Sequence, residues 1–69
     1  MTDIEYLQQS VMRGLEEILV SERGMTLVQA MELMRSSKTL VLLMDSETGL
    51  YRESPSYVYE LVKEEHGWR

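Results

Sequence analysis

The chain has 69 residues, 43% of them hydrophobic, with seven basic against twelve acidic side chains and a formal charge of −5. That length admits one domain, 1–69, which hides only about 60% of the surface its unfolded form exposes; with no cysteine and one histidine, neither disulfides nor an ordinary zinc set can staple it, and association with another chain is the aid that remains. The acidic balance, with Arg13, Arg23, Arg35, Lys38, Arg52, Lys63 and Arg69 scattered singly, argues against a phosphate backbone or an anionic membrane as partner.

From the amino terminus, Ile4, Leu7, Val11, Leu15, Ile18 and Leu19 repeat the three-and-four spacing of one helix face. Thr2 followed by Glu5 has the form of a capping box, and Gly24 suits the left-handed position that ends a helix. Gly14, inside this helix, costs about 1 kcal/mol relative to alanine; it is either tolerated or marks a close approach by another backbone. Thr26 and Gln29 repeat the capping pattern ahead of Leu27, Ala30, Met31 and Met34, which predicts a second helix ending near Arg35-Ser36. Gly24-Met25 is short enough to fold the two into a hairpin.

After Ser37 the pattern changes. Every position from Leu40 to Met44 is apolar, so periodicity does not separate a buried helix from a buried strand. Ser37 as a cap and the leucine and methionine content favour a helix. The alternative is a hairpin over about 39–53, turning at Asp45 to Gly49, which two strands alone would hold only marginally. Ser54-Pro55 starts a last helix to about Glu65, with Val58, Leu61 and Val62 as its core stripe, Tyr57 beside them, Tyr59 pointing elsewhere and Gly67 as terminator. The expected fold is all-α, a small four-helix domain of one hairpin, a short third helix and a fourth helix.

Few residues carry a chemical signature. His66 lies near the end of the last helix, where positive charge suits the dipole, and no partner for acid-base work is evident. Asp45, Glu47, Thr48 and Gly49 imitate part of a calcium loop, but the twelfth position is Ser56 rather than a glutamate, which favours a solvated turn. Glu16-Glu17 and Glu64-Glu65 are helix neighbours about 100° apart, and both pairs read as solvated surface. No nucleophile elbow or phosphate loop is present, so no catalytic residue, metal site or cofactor is expected. The amino terminus has no basic region, and five apolar residues are too few to span a bilayer; a soluble cytoplasmic protein is expected.

Thr26 to Thr39 has the outline of a helix-turn-helix, which makes a DNA-binding regulator the alternative reading. A recognition helix must offer polar side chains to the major groove, and the one that would start at Ser37 is apolar after Thr39.

The helix Met25-Thr-Leu-Val-Gln-Ala-Met-Glu-Leu-Met34, the aspartate-containing link Asp45 to Leu50, and Tyr51, Ser54, Tyr57 and Val58 resemble a group of short bacterial proteins known as domains of unknown function. The resemblance covers Met25 to Glu64 and implies an accessory or toxin-associated partner protein, with no catalytic residues to carry over.

Four short helices cannot hide Leu40 to Met44, the methionines and the aromatic residues together, and exposed apolar patches mark partner sites. The sequence therefore predicts a non-enzymatic protein–protein interaction module, as a homodimer or bound to another protein. Its contact is expected on Leu40, Leu43, Met44, Leu50, Tyr51, Tyr57 and Tyr59, with Trp68 as an aromatic anchor.

Overall fold

Three of the four helices begin where a short polar side chain precedes an amphipathic run. A computed structural model describes residues 2–68, and among them all regular structure is helical. Helix α1 (Asp3–Arg23) is capped by Thr2, whose Oγ1 accepts from the Glu5 amide at 3.1 Å. The expected box is incomplete there, because the Glu5 carboxylate takes the Thr2 hydroxyl proton instead of the Thr2 amide. Around α2 (Leu27–Ser36) the box is complete: Thr26 accepts from the Gln29 amide and Gln29 from the Thr26 amide, satisfying two orphan donors reciprocally. Helix α4 (Pro55–His66) starts with Ser54 accepting from the Tyr57 amide and proline in the first turn. Gly24 and Gly67 end α1 and α4 in the left-handed conformation that costs glycine least. Past Gly67, the Trp68 amide turns back to the Lys63 carbonyl at 2.8 Å, a Schellman closure.

Between α2 and α4 lie the seven-residue helix α3 (Lys38–Met44) and two single 3₁₀ turns, Ser46–Thr48 and Leu50–Arg52. The alternative hairpin over 39–53 does not form. Thr39 to Met44 are helical, and local bonds curl the link before it can extend: Asp45 Oδ1 accepts from the Glu47 amide at 3.0 Å, and Thr48 Oγ1 donates to the Leu42 carbonyl at 2.6 Å.

The core joins Val11, Leu15 and Leu19 of α1 to Ala30 and Met34 of α2, Leu43 of α3, Leu50 and Tyr51 of the link, and Val58 and Val62 of α4. At 1.5 Å per residue α1 is about 32 Å long, which matches the 32 Å long axis of the molecule. Near its start Ile4 and Leu7, although on the inward face, remain 37% and 39% exposed. Gly14 marks a close approach. A Cβ there would stand 2.7 Å from Pro55 Cβ and nearer still to Cγ, so the missing side chain lets the start of α4 press onto α1.

Candidate interaction surface

Helix α3 is too short to hold itself. Isolated helices under about 12 residues are marginal in water, and a seven-residue one keeps most of its backbone groups at its ends. Two residues far away in the chain, with two of its near neighbours, satisfy them. At the amino end the Glu65 carboxylate accepts four bonds: from Ser37 Oγ at 2.6 Å, the Lys38 amide at 2.8 Å, the Thr39 amide at 3.0 Å and Thr39 Oγ1 at 2.8 Å. At the carboxyl end Gln8 Nε2 donates to the carbonyls of Leu43 and Met44 at 3.2 and 3.0 Å. The Asp45 amide serves Val41, and Thr48 Oγ1 serves Leu42. All four terminal carbonyls of α3 are thus occupied.

Two expectations are corrected here. Ser37 does not cap α3 with its own side chain; its hydroxyl is drawn to Glu65. Glu65 is not solvated surface like Glu64, because the register of α4 turns it inward under the start of α3. Partial burial would raise its pKa, but the hydrogen bonds from Ser37, the Thr39 and Lys38 amides and the Thr39 hydroxyl favour the charged form more strongly and bring it from 4.5 to about 2.

The outward side of α3 is apolar. Leu43 is fully buried, while Val41 is 68% exposed and Leu42 and Met44 are each 49% exposed. Leu40, Val41 and Met44 line a shallow dent with Arg35. A second dent shares Arg35 and Leu40 with it and adds Met12, Glu16, Met31 and Met34. A third shares Glu16 with the second and adds Arg13, Glu17, Val20 and Leu27. Together they make one furrow across α3, α2 and α1. Its exposed apolar side chains are interleaved with Arg35, Glu16, Arg13 and Glu17.

The eight residues expected at the contact separate into three groups. Leu43, Leu50 and Tyr51 belong to the core and are corrected to structural roles, since their side chains are unavailable to a partner. Leu40, Tyr59 and Trp68 are half-buried against that core. Tyr59 does not point away: its hydroxyl accepts from Arg23 Nε at 2.9 Å, and the same guanidinium lies 4.3 Å from the Trp68 ring centre, so these aromatics tie the end of α1 to α4. Met44 and Tyr57 are exposed, and Met44 with Leu40 lines the furrow. Val20, Leu27, Met31 and Val41 are furrow residues that the sequence reasoning missed. A signal existed, since a helical Leu40 to Met44 buries only one side and must leave others in solvent.

The remaining constellations bring no reactive group together. His66 stacks on Trp68, with ring centres 5.0 Å apart, and its Nε2 lies 4.0 Å from Glu65 Oε2. Among the described residues no group of three or more histidine, aspartate or glutamate side chains is placed to hold a metal ion, and no helix is long and apolar enough to cross a membrane. Ser37 alone joins α2 to α3, and the exposed positions of α3 are Lys38, Val41, Leu42 and Met44, one cation among three apolar side chains. No family model, curated protein or solved structure matches the chain.

Proposed function

We propose that this chain is a non-enzymatic protein–protein interaction module of the cytoplasm whose contact face is the furrow of α1, α2 and α3. One observation carries the reading: α3 is tied down at both ends by side chains from the two terminal helices, yet leaves most of its apolar residues in solvent. A rigid, poorly hidden apolar helix is a binding element prepared in advance, which spares a partner the cost of ordering it. The methionines Met12, Met31 and Met44 add side chains that adapt to an incoming surface. The resemblance to short bacterial proteins supports an accessory or toxin-associated role, and the apolar outward side of α3 speaks against the DNA-reading alternative.

The test is affinity purification of the tagged chain at native level beside its Val41→Asp variant. The variant is expected to fold normally and lose the proteins that accompany the wild type. Identical companions for both would reject this contact face, and salt-dependent binding of duplex DNA would favour the alternative.

A further inference from the structure

We propose that the occupant of the furrow is a second copy of this chain, docked about a two-fold axis that sets the outward stripe of α1 antiparallel to its counterpart. This rests on the contact-face reading above and names its partner. The chain carries −5 overall, so two copies repel on average. The furrow is closer to balance: Arg13 and Arg35 share it with Glu16, Glu17 and Asp45, the last at its α3 end. In a two-fold contact a patch meets itself, and its self-repulsion is relieved when it carries both signs and sets them opposite one another. Arg13, Arg35, Glu16 and Glu17 form no ion pair within the described part of the chain.

Spacing supplies the pairing. Arg13 and Glu17 lie one helical turn apart on the same exposed stripe, about 6 Å along the axis. An antiparallel approach centred between them sets each Arg13 against the partner's Glu17, twice by symmetry. The Val20–Leu27 end of one furrow then lies over the Met12–Leu40 end of the other, apolar against apolar. A standard interface buries about 800 Å² per partner, about a sixth of the 4783 Å² that the chain exposes. Association also adds stability that a domain of this size does not obtain from its core alone.

Sedimentation equilibrium of the full chain from about 1 to 100 µM, the range in which an interface of this size associates, tests the proposal. The wild type is expected to be a dimer. Arg13→Glu and Glu17→Arg each set like charges face to face twice and should weaken the dimer by roughly thirtyfold. The double variant exchanges the signs and should restore it, while circular dichroism stays unchanged throughout. A dimer indifferent to the single changes, or not restored by the double, overturns the proposal. A wild type that remains monomeric overturns it too; if Val41→Asp still releases a companion at native level, the contact face survives that result, and if it does not, both fall.

Discussion

Helices α1 and α4 meet along a seam in which Leu15, Leu19, Val58 and Val62 are wholly hidden, whereas α3 hides one leucine and leaves Val41, Leu42 and Met44 in solvent. The two regions are fixed in place by different forces. The seam depends chiefly on apolar burial and on the close fit of Pro55 against Gly14, with one long-range polar bond, Arg23 to Tyr59, at its end. Helix α3 depends on Gln8 and Glu65, which reach it from 26 to 36 residues away. Anchoring and burial are therefore separable, and an element anchored by its ends is free to offer its apolar side to another molecule.

Substitutions in the two regions should separate these forces. Leu19→Ala has the largest expected effect, about 3 kcal/mol from lost burial and the cavity left behind, which approaches the whole stability of a domain this small. Urea titration should find the variant largely unfolded without denaturant. Glu65→Gln comes next. Its hydrogen bonds hold the folded-state pKa below 4.5, at about 2, and at a partly solvated site, with a neutral amide still accepting one or two of the bonds, the substitution should cost on the order of 2 kcal/mol. Because the folded-state pKa is the lower one, this contribution is complete above about pH 4.5 and fades as pH falls towards about 2. Acid titration of stability should show that limb in the wild type and a flatter one in the variant. Gln8→Ala removes both carbonyl contacts and should cost about 1 to 2 kcal/mol. Val41→Asp, by contrast, should change unfolding of the free chain, measured at concentrations too low for association, by no more than about 0.5 kcal/mol; a large loss there would show that α3 depends on burial after all.

The same division decides what the sequence could reveal. Thr2, Thr26, Ser54-Pro55, Gly24 and Gly67 act on backbone groups within a few residues of themselves, so the starts and ends of the longer helices were legible. Gln8 and Glu65 act across the fold. Nothing near either residue distinguishes it from a solvated neighbour, and Glu65 was read with Glu64 as surface. The predicted contact suffered from a related ambiguity: a surplus of apolar residues says how many must remain outside, not which. Leu50 and Tyr51 fill the gap between α1 and α3 once the link curls into 3₁₀ turns, and Leu43 faces the core because α3 is a helix. That part of the excess would stay exposed, as Met44 does, was legible, while the exposure of Val20, Leu27 and Met31 needed the α1–α2 packing to be seen.

Hydrogen exchange of the α3 amides, in the wild type and in a Gln8→Ala/Glu65→Gln variant, tests most directly whether α3 is held by its ends. The measurement is made at concentrations low enough to keep each chain free of partners, so that protection reports anchoring within the molecule. Amides of α3 should exchange in the wild type nearly as slowly as those of α1 and α4, and the variant should lose that protection at 38–44 while α1 and α4 keep theirs. Exchange of α3 at the rate of an open loop in the wild type, or protection unchanged in the variant, would contradict a contact face anchored in advance by Gln8 and Glu65.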